Sequence, residues 1–335
     1  MNPPHTYRRT RVAALALAAT LGSPGASDAQ ALGGGPFVVP EQNALYAFHL
    51  TPRPERADLL GAGEFEFAFR TTYSNVFEYV RRPNVEATLD YERWTQNVEL
   101  VWSPSGDFEV GARAAIATGW GGFLDGLVQW YHQRLGLPNG DREDVPNGDF
   151  DVTLVPLGDT VLSLESGSFV MDPVVWAALP ILSGRTAVAA RVSVKLPVGA
   201  EEWSGGGVDV AAQLDARHAW TKWVGYAGIA ATTLDASGPL ERFTRPSAIA
   251  WHLGVERRLG EGWGVLGQFQ GSTAYHRNLR NRELEIAPVN FGVGFVGALA
   301  SGWRWQAAFT EDIRPDSPAV DFTLDLHLSR VFGGA

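Results

Sequence analysis

The chain has 335 residues, a formal net charge of −10 and no cysteine. The acidic balance argues against a nucleic-acid partner, and the lack of cysteine excludes a disulfide scaffold, a cysteine-linked lipid anchor and a thiolate metal site. No run of about 18 apolar residues occurs, so the sequence excludes membrane-spanning helices.

Residues 1–31 have the pattern of a secretory signal peptide. Three arginines lie within 8–11, a short apolar run covers 12–21, and small residues follow at cleavage spacing within 27–31. The apolar run is too short to span a bilayer as a helix. We therefore expect an exported protein whose signal peptide is cleaved.

Residues 32–60 precede the first predicted strand and form a separate N-terminal segment. Prolines, which discourage pairing in a sheet, interrupt it at Pro36, Pro40, Pro52 and Pro54. Two interpretations are open: a plug that enters a barrel lumen from the periplasmic side, or a loose periplasmic tail. The apolar side chains of Leu45, Tyr46 and Phe48 favour the plug.

Residues 61–335 alternate between apolar and polar side chains, which is typical of β-strands. In the last segment, for example, Leu324 and Leu326 lie on one side and Asp325 on the other. The twelve segments with this pattern are 64–77, 86–102, 108–119, 171–182, 185–197, 207–220, 222–234, 247–258, 262–276, 286–299, 302–312 and 320–332. We predict an all-β fold, a closed antiparallel transmembrane β-barrel of about 12 strands. A further pair within 149–168 would make 14, and a soluble all-β fold shows the same alternation inverted.

The connections between these segments alternate between short and long, as they do in outer-membrane barrels, where the short turns face the periplasm. The short connections are 103–107, 183–185, 220–222, 260–262 and 301–302. Aromatic residues gather beside them, namely Trp102, Phe108, Trp220, Trp223, Trp263, Trp303 and Trp305, and a second group lies toward the long loops, namely Tyr73, Trp120 and Tyr275. Because a sheet in lipid cannot leave an open edge, the last strand should pair with the first.

The longest loop, 120–170, contains apolar residues at helical spacing within 121–136, ended by Gly136 and Pro138. The candidate functional residues of this loop helix are Phe123, Leu124, Asp125, Trp130 and Tyr131. Three placements are open: folded into the barrel as a constriction, lying on the membrane surface, or capping the rim. The constriction is the placement that would give these residues a direct role in transport.

The predicted inward face carries many charges of both signs. We assign to the lumen wall Glu64, Glu66, Arg70, Arg93, Glu99, Glu109, Arg113, Arg191, Lys195, Asp209, Asp215, Arg217, Glu256, Arg304 and Asp325. These side chains either line a polar pore or form a cross-strand ion-pair network that fills a narrow lumen.

His327 and Ser329, close to Asp325, have the residue types of a serine-hydrolase site. Membrane phospholipase barrels carry such residues on the lipid-facing side, however, whereas His327 is predicted to point inward. We therefore assign no catalytic residue. The remaining histidines are isolated in the sequence, so we predict no metal site and no cofactor.

Three stretches of the chain resemble a family of uncharacterised Gram-negative outer-membrane β-barrel proteins that is known only as a domain of unknown function. They are QNALY at 42–46, YSNVFEY at 73–79, and GGFLD at 121–125 with GLPNG at 136–140. The resemblance covers nearly all of the mature chain, although the second half matches mainly by its strand pattern. It implies an outer-membrane barrel and no assigned reaction.

A channel or facilitator for a small solute across the outer membrane is the function that this pattern favours, with the loop helix and residues 32–60 narrowing the lumen. An envelope-lipid-modifying enzyme and a non-transporting structural or adhesion barrel are the alternatives. The expected partners are outer-membrane lipid and a small-molecule solute, and a monomer is favoured.

Overall fold

The computed structural model describes residues 34–333 except 84, 138, 140, 157, 236–237, 239, 261, 300–301, 315–319 and 321. The predicted signal peptide, 1–31, lies outside the described residues. Across the described ranges, no helix combines the length and the apolar character that a membrane crossing requires.

Within the described residues, fifteen strands form one antiparallel sheet. They are β1 (Glu64–Arg82), β2 (Val85–Ser103), β3 (Glu109–Trp120), β4 (Asp151–Pro156), β5 (Leu162–Leu164), β6 (Gly167–Val170), β7 (Val174–Leu182), β8 (Thr186–Lys195), β9 (Val210–Ala219), β10 (Trp223–Thr233), β11 (Ser247–Gly260), β12 (Trp263–Ser272), β13 (Val289–Ala298), β14 (Trp303–Asp312) and β15 (Phe322–Phe332). The helices are α1 (Ala44–Ala47), α2 (Asp125–Leu135), α3 (Glu201–Ser204) and α4 (Arg282–Glu285).

The sheet closes on itself because β1 pairs with β2 on one side and with β15 on the other. The closing register runs from Phe65 opposite Phe332 to Asn75 opposite Phe322. The predicted closure of the last strand on the first is therefore confirmed. Closure leaves no edge whose backbone groups would face lipid unpaired.

Twelve strands make the wall, as the alternation predicts. The short strands β6 and β7 both pair with β3 and together count as one wall strand, which is interrupted around Pro173. The hairpin β4–β5 pairs only with the outer part of β2, so it extends a loop and adds nothing to the wall. The alternative of 14 wall strands is therefore wrong.

The outward face of the wall is apolar and the inward face is polar. The exposed outward side chains include Trp94, Ile116, Val192, Ile229, Leu253, Phe269, Phe295 and Leu326. A soluble barrel has the opposite arrangement, and so large an apolar belt is stable only against a non-aqueous surrounding. The soluble alternative is therefore wrong, and the wall has the design of a transmembrane barrel.

The main apolar core lies at the outer mouth of the barrel. β1 and β2 are each 19 residues long and extend beyond the belt. The inner face of this extension packs on the β4–β5 hairpin, on α1 and on the other outer loops. The aromatic members of this buried cluster are Tyr46, Phe48, Tyr91, Trp203, Phe243 and Tyr275. This cluster, here called the outer cap, closes the lumen on the extracellular side.

Candidate functional site, a charged lumen filled by the N-terminal segment

Fourteen of the fifteen residues that the alternation assigns to the lumen lie on the inward face of wall strands, and Asp209 lies in the loop just before β9. Twelve of the fifteen are buried, and the exceptions, Glu64, Arg113 and Arg304, are half-buried. They are buried because residues 34–60 occupy the lumen. The structure therefore brings the wall charges together with a segment that precedes the barrel.

Residues 34–60 follow a hairpin-shaped path inside the barrel. The chain rises from Gly34, beside Gln306 of β14, turns at α1 beneath the outer cap and descends to Leu60, beside Glu109 at the periplasmic end of β3. Both ends of this segment, here called the plug, therefore lie toward the periplasmic side. Phe37, Leu45 and Tyr46 are almost completely buried.

The rising arm of the plug is held mainly by glutamine side chains of the wall. Gln268 binds both main-chain groups of Phe37: its Oε1 accepts the N–H at 2.9 Å, and its Nε2 donates to the carbonyl at 2.8 Å. Gln270 donates to the carbonyl of Val39 at 3.0 Å. These bonds satisfy the backbone of an extended segment that takes no part in the sheet, as buried peptide groups require.

The turn of the plug is bound by charged and aromatic side chains near the outer cap. Arg93 and Tyr91 of β2 donate to the carbonyl of Gln42 at 3.2 and 3.0 Å. Lys195 of β8 donates to the carbonyl of Phe48 at 2.8 Å and pairs with Asp172 at 2.9 Å.

Two loop and wall side chains complete the binding of this turn. Asp209 accepts from the N–H of Leu50 at 2.6 Å, and a ring nitrogen of His276 lies 3.0 Å from the carbonyl of Leu45. Burial and the neighbouring His49 lower the pKa of His276 to about 3, so its ring is neutral at physiological pH.

The descending arm of the plug carries an ion-pair cluster in the middle of the lumen. Arg53 pairs with Glu55 at 2.6 Å and with the wall residue Glu99. The carboxylate of Glu55 also faces two wall arginines, Arg113 at 3.6 Å and Arg191 at 3.9 Å. The carboxylate of Glu55 therefore forms ion pairs with three guanidinium groups.

The charge state of this cluster follows from its partners. Burial raises the pKa of Glu55, but Arg53 and Arg191 outweigh the burial, and the net pKa lies below its usual value. Burial lowers the pKa of Arg53, but the carboxylates of Glu55 and Glu99 bring it above its usual value. Both plug residues are therefore ionised at neutral pH.

Below this cluster, two further plug residues pair with wall residues. Arg56 lies 2.7 Å from Glu66 and 3.6 Å from Glu109. Asp58 accepts a hydrogen bond from Nη2 of Arg217 at 2.7 Å. Ion pairs thus join the plug to the wall at Arg53, Glu55, Arg56 and Asp58.

The other predicted wall residues bind mostly to neighbouring side chains of the wall. Asp325 accepts from Thr72 at 2.7 Å and faces Arg70 at 3.7 Å. Tyr226 of β10 donates to Glu256 of the neighbouring strand β11 at 2.6 Å. Asp215 accepts from Gln213 at 2.9 Å. Glu64, at the periplasmic rim, accepts from the N–H of Gly61 at 2.6 Å.

Among the described residues, the plug borders two small cavities of about 40 and 50 Å³. The larger is lined by Arg70, Arg304, His327 and Ser329 together with Arg56 of the plug. Spaces of this size hold at most a few water molecules. Neither of these two cavities has room for a solute much larger than water.

The loop-helix residues are not in the lumen. Phe123 and Leu124 precede α2, which contains Asp125, Trp130 and Tyr131, and the whole helix lies against the outward face of the wall, where Tyr131 donates to Glu311 of β14 at 2.9 Å. The constriction that the sequence predicts for this helix is therefore wrong. The physical reason is that α2 has apolar side chains on both sides, and the wall offers an apolar outward face for one of them.

The sequence reasoning missed the charged residues of the plug. Residues 53–58 read RPERAD, with two basic and two acidic side chains in six positions. Such density of charge next to prolines disfavours both a lipid-facing strand and a buried apolar segment. This local charge pattern is the feature of the sequence that could have indicated pairing of this arm with a charged wall. His327 and Ser329 face the lumen, as predicted, and so lie away from lipid.

Within the described ranges, no three or more His, Cys, Asp or Glu side chains are arranged to hold a metal ion. We therefore assign no metal ligand to the cluster around Glu55.

The comparisons agree with this architecture. The profile of the family DUF3187, described as proteins of unknown function, matches residues 14–332. The crystal structure of the COG4313 outer membrane channel from Pseudomonas putida F1 superposes with a TM-score of 0.53 at 14% identity, over 84% of this chain and 100% of that one. The KdgM porin superposes with a TM-score of 0.43 at 4% identity, over 80% of this chain and 99% of that one. The NanC porin superposes with a TM-score of 0.43 at 7% identity, over 80% of this chain and 100% of that one. No curated protein sequence matches significantly. The first similarity shows a shared barrel fold.

Proposed function

The chain belongs to the DUF3187 family of proteins of unknown function, and we propose that it is a channel or facilitator for a small polar solute across the outer membrane. One observation carries the proposal: the wall charges in the middle of the lumen are neutralised by a separate segment, the plug, through Arg53 and Glu55. The plug contributes no strand to the sheet, so it can be displaced without breaking the sheet.

The shape of the plug supports a reversible opening. Both of its arms run toward the periplasm, so the segment can withdraw as a loop without threading through the barrel. Because β1 closes on β15 within one chain, a single copy suffices to form the lumen. The proposal includes export with cleavage of residues 1–31, with 32–60 as the plug and 61–335 as the barrel.

The wall that withdrawal exposes would be hydrophilic and of mixed charge. Of the fifteen predicted lumen residues, eight are acidic and seven are basic. A lining of both signs favours hydrophilic solutes without strong preference for anions or cations. Small neutral or zwitterionic molecules are therefore the class of solute that we propose.

One observation favours a different function, a non-transporting structural barrel. The outer cap is a continuous apolar cluster that joins α1 of the plug to the extracellular loops. Passage of a solute requires this cluster to open as well as the plug to leave. The lipid-modifying alternative finds no comparable support, because His327 and Ser329 line a lumen cavity.

Solute uptake by proteoliposomes tests the proposed function. We expect a variant that lacks residues 34–60 to admit glycine and small sugars at least tenfold faster than the full chain, because the deletion uncovers the charged wall. Liposomes without protein give the background, and a large dextran shows that the vesicles remain intact. An intact, folded deletion variant that admits neither solute would contradict the channel and favour the structural barrel.

A further inference from the structure

The loop helix α2 lies across the outside of the barrel where the first and last strands meet. At its start, the ring of Phe123 lies 5.8 Å from that of Tyr73 on β1. Farther along, the ring of Tyr131 lies 6.3 Å from that of Phe322 on β15. Both partners occupy outward-facing positions, so α2 covers the outer end of the closing seam between β1 and β15.

Buried polar contacts fix the start of the helix. Glu92, on the outward face of β2, accepts the N–H of Phe123 at 2.7 Å and also that of Leu124. Asp125 accepts from Asn75 of β1 at 2.9 Å. These contacts determine which side of α2 faces the wall, and Leu124 and Val128 are buried on that side.

The opposite side of α2 is also apolar, and it is exposed. Phe123 is 74% exposed, Leu127 45% and Trp130 56%. Leu127 and Trp130 are three residues apart and lie on one face of the helix, and Phe123 is exposed just before its start. Exposing three such side chains to water is unfavourable.

This exposed face continues the lipid-facing belt of the wall. Trp94 of β2 is an exposed member of that belt and stands directly opposite Tyr73 in the β1–β2 register. Because Tyr73 contacts Phe123, α2 begins at the level where the belt ends. Tryptophan and other aromatic side chains favour this boundary between hydrocarbon and head groups.

The polar side chains of α2 are also consistent with a helix that lies at the boundary between hydrocarbon and head groups. Gln129 donates to Asn147 of the neighbouring loop at 3.0 Å, and Gln133 is exposed next to it. Arg134, one turn beyond Trp130, is exposed as well. A long cationic side chain beside an apolar face can extend its guanidinium to head-group phosphates.

We propose that α2 is an interfacial helix whose face of Phe123, Leu127 and Trp130 is embedded in the outer leaflet, against lipid acyl chains, with Arg134 beside head-group phosphate. The helix thereby covers the closing seam of the barrel from the lipid side. This interaction is independent of whether the lumen conducts.

Spin labelling tests the proposal, because the chain contains no cysteine and single-cysteine variants are unambiguous. The variants Leu127→Cys and Trp130→Cys carry the label on the proposed lipid face, and Gln133→Cys carries it on the polar side of the same helix. The full-length protein is reconstituted in phospholipid and lipopolysaccharide vesicles. We expect the ratio of oxygen to nickel-chelate accessibility to be several-fold higher at 127 and 130 than at 133.

Three results would overturn the proposal. A ratio at 127 and 130 no higher than at 133 would place this face in water. Low accessibility to both reagents with dipolar broadening between labels would place a second copy of the chain on it. Low accessibility to both without broadening would bury the face within the protein.

Discussion

Replacing Glu55 by Gln is expected to release the plug. The substitution keeps the size of the side chain but removes the carboxylate that faces Arg53, Arg113 and Arg191. Removing one partner from a buried ion pair costs about 3 kcal/mol or more, which corresponds to a change of about 100-fold in the docked-to-released ratio of the plug. Hydrogen exchange of the amides in residues 36–60, measured by mass spectrometry on the reconstituted protein, should accelerate by about that factor.

Glu64→Gln is the matched control for this substitution. Glu64 also lies on the inward face, but it sits at the periplasmic rim, is half-buried and accepts a hydrogen bond that glutamine can also accept. In Glu64→Gln, the rate of amide hydrogen exchange in residues 36–60 should stay within about twofold of the wild-type rate. Equal exchange rates in Glu55→Gln and Glu64→Gln would show that the central ion pairs do not hold the plug.

Replacing Asp125 by Ala is expected to detach the loop helix while leaving the barrel closed. Asp125 is buried and accepts from Asn75 at 2.9 Å, from Arg142 at 3.2 Å and from the N–H of Gly148 at 2.8 Å. Its loss deprives the buried Arg142 of this carboxylate, a change that typically costs about 3 kcal/mol or more. Trypsin cleavage after Arg134 should become about 100-fold faster, because cleavage follows the population of the opened loop.

The exposed Glu143 provides the control for this variant. It lies on the same loop and accepts only from the side chain of Asn139 at 2.7 Å among the bonds described. Glu143→Ala should leave the cleavage rate near that of the wild type. If Asp125→Ala is cleaved no faster than Glu143→Ala, the buried contact does not hold α2 against the wall.

The wall could be predicted from the sequence because its constraints are local and repeat along the chain. The alternation of Leu324, Asp325 and Leu326 assigns the two faces of β15 from neighbouring residues alone. The short and long connections then determine which end of each strand faces the periplasm. Closure followed from the need to pair every backbone group in lipid, without knowledge of any distant contact.

The plug and the loop helix could not be placed in the same way, because long-range contacts decide their positions. Gln268 holds Phe37 across 231 positions of sequence, and nothing near either residue indicates the pairing. For α2, apolar side chains on both sides are compatible with the lumen, the rim and the outer surface. The contacts of Glu92 and Asp125 with the wall decide between these, and they form only in the folded chain.

Single-channel recording with a plug peptide tests most directly the claim that residues 34–60 close a polar lumen. The full chain should conduct rarely in a planar bilayer, the variant lacking residues 34–60 should conduct steadily, and a synthetic peptide of residues 34–60 added on the periplasmic side should block that current. The same peptide with Glu55 replaced by Gln should block at about 100-fold higher concentration, from the loss of about 3 kcal/mol. A deletion variant that stays silent, or a current that the wild-type peptide leaves unchanged, would contradict the account.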